Sequence, residues 1–290
     1  MYTLMVYAFR GEYPFNLVDA PFSYRLLAPF LASVLPFSPE MSFGILNTFF
    51  CIMISLTVFW TCKTLEIDDD SSFKTSIAII VSWNLLLYGT AVHIDAGFVM
   101  CWSIFILAII RKERFAVLLT ISIISVLFKE VALVMSLTMM FESRIRGAIM
   151  FTVQSTMIVI IRIIMSVGTP FQGTIGYLWW IDIARNLHVA AFTEILFSLG
   201  FIMPFAYYGF VHCATTNTTR FIFPAFLIAL FGFLYGAFCG RFVWMLQVSL
   251  APLFGKGLNY ATTNQQKASV PCVPSPQIEE NPCSSELLER

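Results

Sequence analysis

The chain has 290 residues, of which 58% are hydrophobic and 12% charged, with a mean hydropathy of +0.81. A soluble domain carries about 25% charged residues, so this composition excludes an ordinary water-soluble globule and implies an all-α integral membrane protein. The formal net charge is zero, which gives no pull toward nucleic acid. The seven Cys form no CxxC or Cys/His spacing, so neither a metal nor a cofactor is expected.

Residues 1–40 read as an external loop with one interfacial helix. The opening MYTLMVYAF has no basic start and no small-residue cleavage site, so it is not a secretory signal. Asp19, just before Ala20-Pro21, is placed to cap a helix starting near Pro21. That helix would carry Tyr24, Arg25, Leu26, Leu27 and Leu31 along the outer interface. Arg25 then either snorkels or binds a phosphate or orients a carboxylate.

A bilayer core of about 30 Å takes roughly 20 apolar residues in helix, and 41–62 meets that length. Asp68-Asp69-Asp70 reads as a solvated loop. Stretches 75–92 and 94–110 meet at His93-Ile94-Asp95, either a polar turn capped by Asp95 or the place of a cavity carboxylate. The next stretch, 115–141, is apolar except for Lys129-Glu130 in its middle. Arg111, Lys112 and Arg114 lie before it, and Arg144 and Arg146 after it. Both groups reach the cytoplasmic side only if 115–141 is two short helices meeting at Lys129-Glu130. An external re-entrant or short-helix hairpin is therefore expected. Its charged tip is either a local ion pair or a wet functional site.

Stretches 147–168, 191–213, 221–239 and 242–254 complete about nine hydrophobic helical segments. Arg162 reads as a snorkelling residue, and the segment YLWWIDIARN (177–186) as an aromatic interfacial loop. From Gly255 the chain turns polar, so 1–254 is expected to be the membrane domain and 255–290 a disordered cytoplasmic tail. The basic bias also places Lys63, Lys74, Arg220, Lys256 and Lys267 inside. Arg10, Arg25, Lys129, Arg162, Arg185 and Arg241 remain outside. The expected location is a multi-pass protein of a bacterial inner membrane or its equivalent.

Three segments carry a resemblance. DAPFSYRLLAPFLA (19–32) is similar to the YR-x-L-x-P-x-L-A pattern in the first external loop of multi-spanning glycosyltransferases of the GT-C type. FKEVALV (128–134) resembles the K-E-x-x-L turn between two short helices of those enzymes. GRFVWMLQVSLAP (240–252) resembles their Arg- and Pro-bearing helix near the outer face. The resemblance implies a many-helix fold with an external catalytic cavity and a polyprenyl-phosphate sugar as donor. Residues 1–10 are too short for the membrane helix that precedes this loop in the family. The acidic residues available in the loop are Glu12 and Asp19, seven apart.

Inverting transfer needs a carboxylate to take the acceptor's proton and a cation to stabilise the leaving phosphate. The candidates are Asp19 or Glu12 as base, with Asp95 third. Arg25, Lys129 and Arg241 would hold the phosphate, with Glu130 beside them. The expected partners are the lipid-linked donor and membrane lipid. A transporter or flippase-like protein would use the same charges without covalent chemistry, and a non-catalytic assembly subunit is the third reading.

Overall fold

A computed structural model describes residues 2–18, 25–81, 95–165, 199–200, 202–215, 219–227 and 239–269, with the side chains of 239–242 and 265–269 excepted. Every element among the described residues is helical, with no strand. The helices are α1 (Tyr2–Phe9), α2 (Leu27–Val34), α3 (Pro39–Thr64), α4 (Asp69–Ile80), α5 (Asp95–Ile110), α6 (Phe115–Phe128), α7 (Leu133–Glu142), α8 (Arg144–Met165), α9 (Ile202–Cys213) and α10 (Cys239–Ser269). Short 3₁₀ turns lie at Phe15–Leu17 and Glu130–Ala132, and 222–227 is helical.

Two helices are long and apolar enough to cross a membrane: α3 with 26 residues and α8 with 22. At 1.5 Å per residue α3 is about 39 Å long. A core helix of a soluble protein would be mostly covered, yet only 17% of the apolar window of α8 is buried. Ile145, Ile163 and Ile164 are more than 60% exposed. Such a continuous apolar face needs lipid or another protein around it. The chain is therefore read as membrane-associated. Nine crossings are not seen: α5 and α6 have only 16 and 14 residues. Much of the later apolar sequence (191–198, 228–238) lies outside the described residues.

The core joins α3, α5 and α10, with α4 against α3 and α10, and α6, α7 and α8 on the other side. Hydrogen bonds tie neighbours at depth. Trp102 Nε1 on α5 donates to Ser249 Oγ on α10 at 3.0 Å, and Ser55 Oγ on α3 donates to the Ser76 carbonyl on α4 at 3.2 Å. The closest packing is between α9 and α10. A Cβ on Gly209 would lie 1.9 Å from the Leu253 carbonyl oxygen, and one on Gly257 would lie 2.0 Å from that of Phe205. The two glycines, each four residues after the carbonyl the other needs, let the backbones touch.

Several expectations are corrected here. The first forty residues are not simply an external loop, because α1 inserts Met5 and Val6 fully into the core. Helix α2 starts at Leu27 rather than near Pro21, with Arg25 and Leu26 outside it. Pro29 explains the start: it lacks an N–H, and a helix tolerates it only in the first turn. Asp68-Asp69-Asp70 is a helix start, not a loop. Asp68 Oδ1 accepts from the Ser71 N–H at 2.8 Å as the N-cap of α4. Asp69 pairs with Lys63, and Asp70 pairs with Lys74 at 2.5 Å. The boundary at 254/255 has no structural counterpart, since α10 runs unbroken through Pro252 and Gly255 to Ser269. Gly255 permits this, because it lies against Thr75, Ile67 and Cys62, where a Cβ would meet Thr75 Oγ1 at 2.9 Å. Residues 270–290 lie outside the described residues.

Because the clashing atoms at the α9–α10 crossing are backbone, they cannot rotate away. Gly257→Leu or Gly209→Val is expected to destabilise by about 1–3 kcal/mol or more, read as a lowered Tm in detergent. Gly44→Ala, where a Cβ meets nothing within 4 Å, should hold or raise Tm, because alanine is the better helix former.

Candidate functional site

The stretch 115–141 breaks at Lys129. Helix α6 ends at Phe128, and Lys129 is extended, with φ −163° and ψ 138°. The chain resumes as a 3₁₀ turn at Glu130–Ala132 and then α7. Along extended backbone successive side chains point to opposite sides, so the two adjacent charges part. Lys129 Nζ meets Asp95 Oδ1 at 2.5 Å, while Glu130 Oε2 accepts from Arg25 Nε at 3.3 Å. The pair is therefore not a local Lys129–Glu130 ion pair. Each member reaches a different segment.

Four segments converge on this point. Arg25 comes from the approach to α2, Asp95 from the first turn of α5, and Lys129 and Glu130 from the break. Arg25 also donates to the Tyr2 hydroxyl of α1 at 2.6 Å. Gly97 lets α5 come close: a Cβ there would lie 2.3 Å from the Phe128 ring. Phe128 in turn stands edge-on to Phe50 at 5.5 Å. This packing fixes the end of α6, and with it the reach of Lys129 toward Asp95.

The two ion pairs differ in depth. The Asp95 and Lys129 side chains are 1% and 6% exposed, whereas those of Arg25 and Glu130 are 17% and 22% exposed. Two cations face two carboxylates, so the cluster is formally neutral. Burial opposes the Arg25 charge, but Tyr2, Glu130 and Asp95 outweigh it and hold the guanidinium above its ordinary pKa. It stays protonated at any working pH.

The other proposed site residues stand apart or lie outside the description. Glu12 is exposed in the turn after α1, its N–H bonded to the Tyr7 carbonyl at 2.8 Å. Asp19 and His93 lie outside the described residues. Arg241 lies in the first turn of α10, and its side chain is not described. Among the described residues no three His, Cys, Asp or Glu side chains group to hold a metal ion.

Sequence reading missed three supporting residues. Tyr2 is one. Gln154 is the second: fully buried in α8, its Nε2 donates to the Ala132 carbonyl at 3.0 Å and the Ser122 carbonyl at 3.3 Å, and its Oε1 accepts from Ser136 Oγ. It thereby clamps the break from behind. A lone Gln inside FTVQSTMIVII was the available signal. Arg10 is the third, donating to the Ser33 carbonyl in the last turn of α2 and to the Leu35 and Phe37 carbonyls beyond it. Comparison with known proteins gives no matching family model, no matching curated protein and no matching solved structure.

Removing one member of a buried pair takes away the compensation it gives the other charge, at a cost of about 3–5 kcal/mol. Asp95→Asn is therefore expected to lower Tm sharply, while Asp95→Leu with Lys129→Met should recover most of the loss. The check is a thermal melt of the single and double variants. A double variant no better than Asp95→Asn would mean the two side chains are not coupled.

Proposed function

We propose that the chain is a multi-pass membrane glycosyltransferase of the GT-C type, working on a lipid-phosphate sugar at the end of the bundle that carries Arg25. What supports this is one observation. Arg25 and Lys129-Glu130, from two of the segments that resemble the family, and Asp95, singled out as a cavity carboxylate, meet in one network although up to 105 positions separate them.

In the proposed reaction the acceptor hydroxyl oxygen attacks the anomeric carbon and its proton passes to a carboxylate. The bond from that carbon to the phosphate oxygen breaks, and the phosphate leaves with the electron pair. A cation must neutralise the leaving group. Both cations of the cluster are occupied by carboxylates, so the donor phosphate has to take a carboxylate's place. Arg25 suits this exchange best. It is the more exposed cation, its contact to Glu130 is the longer one, and a guanidinium binds phosphate oxygens in a fork. Lys129, buried against Asp95, would add positive potential from behind. The base is Glu12 or Asp19, both on the segment leading to Arg25. The polyprenyl chain would remain in lipid beside the apolar helices.

Orientation follows the same reading. The turns carrying Lys63, Arg111, Lys112, Arg114, Arg144 and Arg146 gather at the end opposite the cluster. There Arg111 stands over the Trp60 ring at 5.9 Å, and Arg220 pairs with Glu142 at 2.6 Å. Under the positive-inside rule that end is cytoplasmic, and the Arg25 cluster is external.

The test is reconstitution of the purified chain in liposomes with labelled lipid-phosphate sugars. Transfer is expected in the parent, and Glu12→Gln or Asp19→Asn should lower it about 10²–10⁴-fold, as for loss of a general base. Arg25→Gln should weaken donor binding roughly 10- to 150-fold. Absence of transfer from every donor, with labelled substrate crossing the bilayer instead, would give the chain to the transporter class.

A further inference from the structure

The basic end of the bundle holds an open cavity of about 420 Å³, remote from the Arg25 cluster. Three parts of the chain line it: the turn between α3 and α4, the end of α9, and the second half of α10. Its floor is mixed. Glu66 brings a carboxylate, Lys256 an ammonium, Asn259 and Asn264 neutral amides, and Tyr260 an aromatic ring. Glu66 and Lys256 are the charged residues of the lining.

Each feature has a structural cause. Glu66 ends α3 in the left-handed region, with φ 60°. Its N–H bonds to the Lys63 carbonyl and that of Ile67 to Cys62, both at 3.1 Å. This is the turn in which glycine is the usual residue, and a glutamate there carries a carboxylate at some conformational cost. Nearby Lys63 is engaged by Asp69. Lys256 Nζ makes one long bond, 3.4 Å, to the Cys213 carbonyl at the end of α9, and an ammonium has three donors. Tyr260 is held by stacking on His212, with 4.8 Å between ring centres and 5° between planes.

We propose that this cavity binds a zwitterionic group, with its ammonium toward Glu66 and Tyr260 and its phosphate or carboxylate toward Lys256. The lining explains the choice. A simple anion would face Glu66 and the carbonyl end of α9, both repulsive. A simple cation would face Lys256. A molecule carrying both charges satisfies both sides, and the Tyr260 ring adds cation–π attraction for the amine. The position suits a phosphoethanolamine headgroup, since the cavity lies at the end of the apolar helices. A free zwitterion has the same chemistry.

The experiment uses the full chain in detergent and measures binding of short-chain phosphatidylethanolamine, short-chain phosphatidylglycerol and water-soluble glycerophosphoethanolamine. Expected is a preference of at least roughly tenfold for the ethanolamine lipid over the glycerol lipid. Lys256→Gln and Glu66→Gln should each weaken it by roughly tenfold or more, the range of a lost charged hydrogen bond. Binding of glycerophosphoethanolamine as well would identify the headgroup alone as sufficient, and binding of the lipid only would identify the lipid as the source. Glu66→Gly separates site from scaffold. Glycine suits the left-handed backbone, so Tm should hold or rise while binding falls. Unchanged binding in Glu66→Gly, equal binding of the two lipids, or no binding of any probe would overturn the proposal.

Discussion

A carboxylate and an ammonium buried side by side, Asp95 and Lys129, order the end of the bundle that carries Arg25. Both side chains are almost fully buried, and their mutual attraction offsets the loss of hydration that each charge suffers there. Lys129 makes the contact from extended backbone just past the end of α6, which the packing of Phe128 fixes. Stopping there releases Glu130 toward Arg25 and shortens both halves of what would otherwise be one long helix. Gly97, Phe128 and Gln154 are the packing and hydrogen-bonding counterparts of the same constraint: one admits the ring, one fills the gap, and one bonds the carbonyls beside the break.

How much of this was legible depended on the kind of signal. Apolar length and the two basic groups around 115–141 were enough to infer two short helices, because a charge pair in the middle of an apolar run has few settings. Which residues those charges would meet was not legible. Asp95 is 34 positions from Lys129, and Arg25 is 105 from Glu130; periodicity says nothing of such pairings. Local composition also misled at two places. Three aspartates looked like a loop because capping and first-turn acids have the same composition as solvated ones, and only the Ser71 N–H distinguishes them. The polar stretch after Gly255 looked disordered, yet α10 continues because Gly255 and Gly257 let α4 and α9 pack on it.

The two ends of the bundle have different chemistry. One collects paired opposite charges drawn from distant segments, with burial increasing from Arg25 to Asp95. The other is mainly basic at its turns and carries the mixed cavity under Lys256. On the glycosyltransferase reading the first end meets the donor phosphate, which takes the place of the Glu130 carboxylate on Arg25. The zwitterion site does not depend on that reading, because it uses none of the same side chains.

Backbone contact between α9 and α10 makes the two helices a single mechanical unit. Gly209 and Gly257 leave no side chain between the chains at their crossing, so a slide of α10 along its axis cannot be absorbed by a change of rotamer. Helix α9 has to travel with it, and the Cys213 carbonyl keeps its register with Lys256. Any rearrangement of this part of the chain is therefore a rigid-body shift of the pair against α3 and α4, not a parting of α9 from α10.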